Sequence, residues 1–363
     1  MNAKFSAALA ALALGFPLVA AAEETMPSLV IGNEPAVHPY DYHSATTVAD
    51  QVYIDEPSGD VGCSHDVGCA DACSLPNILC GLVMPSDHCF DSFISPMTNP
   101  VFFEDPRQLT EVRGIFLNHK VPLAAGGGDV QLYAAQARAR ISDRLSIIAT
   151  KDGYVVSQNP VIADGWADVA AGLKYTLYSD AATQRLLSGG LVFEIPAGTP
   201  RTRQGNGDGE FHLFLTGGAE IFEYGHVISG SGFRLPSDSH AESQMWYWSN
   251  HLDYQVLQNW YLLTEYNWYH WMKSGDNGIP GIEGGDLFNF GSTGVAGNDI
   301  VTGAFGAKYK PNRHVEVGVA WELPLTERRD ILENRLTVDA ILRYQFGDKY
   351  QGRGLVAAAA SPS

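Results

Sequence analysis

Ser249, His251 and Asp253 are the residue types of a hydrolytic triad, and they stand at alternate positions of one segment. Nucleophilic catalysis needs such groups within hydrogen-bonding reach of one another. Alternate residues of a strand share a face but lie about 6.8 Å apart, which leaves the three without ready contact. The chain is therefore read as no enzyme, with no catalytic residues and no cofactor. The stretch Gly205-Asn206-Gly207-Asp208-Gly209-Glu210 offers alternating oxygen side chains. A calcium site needs about six to eight oxygens, so an external glycine-rich turn is the simpler expectation. Gly126-Gly127-Gly128 is read as a flexible loop, because no strand-to-helix unit that would cradle a phosphate follows it.

Five cysteines, Cys63, Cys69, Cys73, Cys80 and Cys89, accompany His65 and His88. Their spacings contain no CxxC pair and no haem-attachment sequence, so disulfides are favoured over a metal site. Five is odd, which implies a leftover thiol or an intermolecular bridge, and the pairing is left open. No bound metal is expected.

The remaining chemistry-bearing residues are charges at alternate positions of apolar segments: Glu111, Arg113, Arg138, Arg140, Asp168, Lys174, Glu194, His212, Glu220, His251, Asp253, Glu265, Lys308, Glu316, Glu322, Asp339 and Arg343. Charges are costly against lipid and cheap against water, so they are assigned to the lining of a lumen. They serve either as wall-stiffening ion pairs or as a selectivity lining. If the first and last strands meet, Glu111 or Arg113 can reach Asp339 or Arg343.

The elements that would position these residues are strands. From Thr110 to Phe346 apolar and polar residues alternate, with Gly, Pro, Asn and Asp clusters between. The last segment shows it: Leu336, Val338, Ala340, Leu342, Tyr344 and Phe346 share one face, opposite Arg335, Thr337, Asp339 and Arg343. Twelve segments can be laid out, near 110–120, 129–141, 145–156, 165–178, 183–197, 209–223, 226–235, 241–256, 259–273, 298–309, 313–324 and 332–346. An even number suits a bacterial outer-membrane barrel, as do connections that alternate between short and long. The short ones are placed at Ser142-Asp143-Arg144, Ser179-Asp180, Tyr224-Gly225, Leu257-Gln258 and Lys310-Pro311-Asn312. Trp246-Tyr247-Trp248 and Trp268-Tyr269-His270-Trp271 suit an interfacial aromatic girdle.

At the start of the chain, Lys4, an apolar run to Ala20 and Ala20-Ala21-Ala22 before Glu23 form a signal-peptide layout. No later run reaches the roughly 18 apolar residues of a spanning helix. The net charge is −18, and from Glu23 to Asp105 there are fourteen acids and no Lys or Arg. Without a basic patch, nucleic acid is not expected as a partner. The reading is a signal peptide (1–22), an acidic cysteine-bearing periplasmic segment (23–106), a barrel (107–346) and a C-terminal tail (347–363). Proteolysis is expected to nick 23–106 and spare the barrel.

Residues 110–346 resemble a family of outer-membrane transporters grouped under the meta-pathway of phenol degradation. The likeness rests on Ile141-Ser-Asp-Arg-Leu-Ser-Ile147, Gly165-Trp-Ala-Asp168 leading to Gly172-Leu-Lys-Tyr-Thr-Leu177, Phe193-Glu-Ile-Pro196-Ala-Gly198, and Leu262-Leu-Thr-Glu265 with its inward Glu. It implies transport of small aromatic or apolar compounds. The cysteine-bearing extension and the residues after Phe346 depart from the family pattern. The His-x-Ser-Asn-Gly arrangement of the twelve-stranded outer-membrane phospholipases is absent.

The expected fold is all-β, a closed antiparallel transmembrane barrel of about twelve strands with a narrow lumen. The expected function is passive passage of small solutes, with outer-membrane lipid and the barrel-assembly machinery as partners and both termini in the periplasm. The alternatives are a secreted β-sandwich with an aromatic ligand surface and a structural surface protein cross-linked through its odd cysteine. Val315, Val317 and Val319 are assigned to lipid. The connection from Gly275 to Gly297 carries Ile279, Ile282, Leu287, Phe288 and Phe290. Such residues seek cover, so the loop should enter the barrel mouth with Glu283 and Asp286 at a constriction, and deleting 278–292 should raise conductance.

Overall fold

Period-two alternation becomes strand pairing along almost the whole chain from Glu111. The computed structural model describes residues 82–343; the signal peptide, Cys63, Cys69, Cys73, Cys80, Tyr344, Phe346 and the tail lie outside the described residues. The strands are β1 (Glu111–Lys120), β2 (Asp129–Arg140), β3 (Leu145–Lys151), β4 (Tyr154–Ser157), β5 (Gly165–Trp166), β6 (Val169–Asp180) and β7 (Arg185–Ile195). They continue with β8 (Glu210–Phe222), β9 (Gly225–Pro236), β10 (Gln244–Leu257), β11 (Trp260–Lys273), β12 (Asp299–Asn312), β13 (Val315–Pro324) and β14 (Asn334–Arg343). β2 pairs with β3 near the tight turns and with β4 near the long loops, while β6 and β5 pair with those same two. The fourteen segments therefore make twelve staves, two of them interrupted. β1 pairs antiparallel with both β2 and β14, so the sheet closes. A closed sheet has no second layer, which sets aside the β-sandwich alternative.

The wall is inverted relative to a soluble protein. Leu173, Leu191, Leu213, Leu262, Phe305, Val317, Val319 and Leu342 are exposed on the outer face, while Lys174, His212, Glu265, Glu316 and Asp339 are buried inside. Only a lipid surround makes such an exterior favourable, so the barrel spans a membrane. The aromatic runs obey the pleat: Trp248 contacts the outer face through Ser229, whereas Tyr247, Tyr269 and Trp271 are buried inward. Two tight turns come later than expected. β6 runs through Asp180 and β12 through Asn312, because each strand gains further rungs before turning.

Residues 84–106, expected in a periplasmic segment, instead fill the barrel. Met84 bridges to Arg140 at the tight-turn end. The chain then ascends, reverses where the Phe102 and Phe103 amides donate to the Asn99 carbonyl, and returns to β1. Phe90, Phe93, Ile94, Met97 and Phe103 are buried. The segment has no strand period, yet it found an apolar and polar environment inside the barrel that water does not offer. Inward glycines make room for it: a Cβ on Gly230 would lie 2.9 Å from the Phe103 ring, and one on Gly318 would lie 2.7 Å from Met97 Sδ. Cys89, on this segment, is disulfide-bonded, and its partner lies outside the described residues.

The opposite mouth is covered by the loop 274–298. Leu287, Phe288 and Phe290 pack with Ile115, Leu117, Val121, Val130 and Ile331.

Candidate functional site

Because side chains alternate, every second residue of each strand points inward, and toward the tight-turn end the plug backbone supplies partners for many of them. Glu265 accepts from the Met97 amide at 2.7 Å and the Thr98 amide at 2.6 Å, and Glu316 from the Ser95 amide at 3.1 Å. Lys174 donates to the Asp105 and Arg107 carbonyls, each at 2.7 Å, and pairs with Glu104 at 2.9 Å. Arg138 holds Glu104 at 2.6 Å, and Arg107 of the plug holds Asp105 at 2.7 Å. A re-entrant chain cannot satisfy its own amides by pairing as strands do, so wall side chains do it instead.

At the seam Arg113 meets Asp339 at 2.8 Å and Arg343 meets Glu111 at 3.0 Å. Arg343 and Lys308 also pair with Glu316, at 2.7 and 3.6 Å. Arg335 joins Glu322 at 2.6 Å to Asp286 of the loop at 2.7 Å. Two residues assigned to the lining behave differently. Arg140 sits at the rim, half-buried, on Asp143 at 2.8 Å. Glu220 is exposed, because it stands at the tight-turn end of β8, where the run 220–224 is open to the outside. Asp168 is turned to the loop after β7, accepting from the Gly198 and Gly205 amides at 2.8 Å; the remaining inward charges are buried among the wall, plug and cap.

The triad geometry dissolves on inspection. His251 reaches Glu265, its direct partner across β10 and β11, at 2.6 Å, and Asp253 on its own strand at 3.1 Å, closer than backbone spacing suggested. Ser249 instead accepts from Asn99 of the plug at 2.8 Å. Asp253 also meets His226 at 2.8 Å. Ser249 thus holds the plug directly, His251 does so through Glu265, and Asp253 braces the two histidines.

Glu283 organises the cap, accepting from Ser243 Oγ at 2.7 Å and from the amides of Phe290 at 3.1 Å and Ser292 at 2.7 Å. Arg234 donates to the carbonyls of Gly285 and Phe288 at 3.0 and 3.2 Å, and Gln204 to that of Leu287 at 3.1 Å. Asn206 of the glycine-rich loop donates to Asn289 at 3.2 Å, so that loop serves as a strut for the cap. Sequence reasoning missed the plug. Its signal was the apolar run Phe90, Phe93, Ile94, Met97, Val101, Phe102 and Phe103 inside an otherwise acidic segment.

Where plug and cap approach one another lies a denser group. Glu194 and Glu210 face each other across β7 and β8, and His212 follows Glu210 on the same inner face. Its Nε2 lies 3.0 Å from Glu210 and 3.6 Å from Glu194. Lys151 is hydrogen-bonded to Glu194, and Arg234 lies 3.7 Å from Glu210. The Glu242 carboxyl in the loop before β10 is pushed up to about 9 by burial and by the Glu210 carboxylate. Among the described residues, Glu194, Glu210 and His212 bring their donor atoms together as metal ligands could.

No protein-family model matches this chain, and no curated protein does. Among solved structures the chain is similar to the KdgM porin, with 12% identity and a TM-score of 0.38 over 65% of this chain and 99% of that one. It is similar to the NanC porin at 7% identity and TM-score 0.42, with the same two coverages. A third is the outer membrane channel DcaP of Acinetobacter baumannii, at 10% identity and TM-score 0.29 over 65% of this chain and 72% of that one.

Proposed function

We propose that the protein is an outer-membrane channel for small solutes that rests closed and conducts only when its own plug moves. One observation carries this: a membrane-spanning barrel whose charged interior is occupied by residues 84–110 of the same chain, entering and leaving at the tight-turn end. A purely structural barrel would gain more from an apolar interior, since buried ion pairs offset little more than their desolvation. The charges suit an interior that is wet when the plug is out. Both termini then belong on the side of the tight turns, the periplasm.

A family resemblance to transporters of phenol-degradation pathways suggests small aromatic or apolar solutes, and one feature supports that finer reading. At the interruption between β3 and β4 the outer wall holds an apolar groove of about 940 Å³ flanked by Gly114, Ala135, Trp166, Val317 and Val338. It shares Ile115, Ala134, Asp152 and Ala167 with a small internal cavity under Phe288 and Val101. Proteoliposomes carrying the full chain and a variant lacking 84–106 would be compared for uptake of phenol, a sugar and an ion. Uptake by the shortened variant alone supports the closed-channel reading. No uptake of any solute by a correctly closed, shortened barrel sinks it.

A further inference from the structure

We propose that Glu194, Glu210 and His212 form a binding site for a divalent transition-metal cation of the zinc class, set between the plug tip and the cap. Like charges directly opposite on paired strands are destabilising, and Glu194 and Glu210 are direct partners. One oxygen of each is already satisfied from outside the group. Lys151 Nζ donates to Glu194 Oε1, and Asn289 Nδ2 of the cap donates to Glu210 Oε2 at 2.8 Å. The oxygens left over turn inward. Glu194 Oε2 is buried with no hydrogen-bond partner in a residue 4% exposed, and it faces His212 Nε2 at 3.6 Å. Glu210 Oε1 lies 3.0 Å from the same nitrogen.

These separations are the ones a small cation imposes. Tetrahedral zinc with bonds of about 2.0–2.1 Å holds its ligand atoms about 3.3 Å apart. The observed 3.0 and 3.6 Å straddle that value, and the three donors all lie within 4.8 Å of one another. A cation placed among them requires small shifts of buried side chains on two hydrogen-bonded strands. The donor set, one imidazole nitrogen and two carboxylate oxygens, suits zinc, cobalt or nickel; calcium asks for an all-oxygen shell about twice as large. In the empty site His212 Nε2 is hydrogen-bonded to Glu210 Oε1; a cation would replace that bond and shift the proton to Nδ1, which is buried without an acceptor and is a cost that binding must offset.

Local charge agrees. With Glu242 protonated, Glu194, Glu210 and Asp168 are set against Lys151 and Arg234, which leaves an excess of one negative charge for a divalent ion to offset. The site also has a mechanical consequence. The His212 ring packs edge-on to Phe102 of the plug at 4.6 Å, and Glu210 is tied to Asn289 of the cap. A bound cation would pin both closures to the wall at one point.

The test is refolding of the full-length chain from denaturant with cobalt(II), then removal of free metal and measurement of bound cobalt and its visible absorption. The proposal expects about one tightly held cobalt per chain with the intense absorption of a four- or five-coordinate, thiolate-free site. His212→Ala and Glu194→Gln should abolish that signal. Asn289→Ala, which frees the outer oxygen of Glu210, should weaken binding by about 10- to 100-fold. A shift in gel mobility between unheated and boiled samples shows that each variant has closed its barrel. Wild-type barrels that hold no cobalt, or variants that hold as much as wild type, overturn the proposal; the latter result assigns binding to surface histidines.

Discussion

A carboxylate that accepts from two consecutive backbone amides fixes that stretch of chain in place, and Glu265 does this for Met97 and Thr98 while also meeting His251. Glu265→Gln keeps the size but removes the charge, leaving the buried His251 and the plug amides poorly matched. Breaking a buried network of this kind costs about 3–5 kcal/mol. The expected result is a plug that protease cuts near residue 97 in a barrel that still resists detergent, whereas Glu220→Gln, on an exposed residue, should leave the digestion pattern unchanged. At this scale alternation disclosed most of the inward-pointing residues, and it failed at Arg140 and Glu220 at the strand ends. It disclosed that Glu111 and Arg113 lie across a seam from Asp339 and Arg343, because closure makes the first and last strands neighbours; the structure sorts them into Arg113–Asp339 and Glu111–Arg343. Partners on the plug were not legible: a segment without a period carries no register, so nothing in the chain ties Thr98 to Glu265.

Among the elements, the wall and the cap respond to different perturbations. Val317 lies on the outer face of β13, 43% exposed, beside Glu316, which is fully buried among Arg343, Lys308 and Lys310. Val317→Arg should cost about 2–4 kcal/mol near the bilayer midplane, read from unfolding in lipid vesicles. Glu316→Arg is expected to be the more damaging change, since it sets a cation among three others. The cap should respond to pH through Asp330, which accepts from the Glu283 amide at 2.9 Å and pairs with Arg328 at 2.8 Å. Burial outweighs these contacts and pushes its carboxyl up to about 6. A folded-state value above the unfolded one of about 3.9 favours the closed cap in its protonated form. That stabilisation is fully present below about pH 3.9 and is lost as pH rises through about 6, at most about 3 kcal/mol. Hydrogen exchange at residues 281–292 should therefore quicken between pH 4 and 7 after correction for intrinsic rates. The same quickening in Asp330→Asn would remove Asp330 as its cause.

For the whole molecule, the barrel was legible and its state was not. Twelve staves, their turns and their faces follow from a two-residue period that each strand repeats independently. Whether the space they enclose is open depends on where an aperiodic segment goes. The segment 23–106 reads as too acidic and too short of alternation to build a core of its own; its described part, 84–106, folds inside the barrel. This changes what loop deletion should do. Were the cap the sole obstruction, removing 278–292 would enlarge single-channel conductance. The plug, however, meets inward groups around the wall, from Arg113, which donates to the Pro96 carbonyl at 2.8 Å, to Tyr247, which donates to that of Phe102 at 2.9 Å. None of these contacts involves the cap. Removing the cap exposes Ile115, Leu117 and Ile331 but leaves the plug's ion pairs untouched. The loop deletion by itself should therefore leave conductance in a planar bilayer near that of wild type, deletion of 84–106 should give brief openings under an intact cap, and the two deletions together should give a steady channel. Steady current from the loop deletion alone would place the barrier in the cap and leave the plug a structural filler.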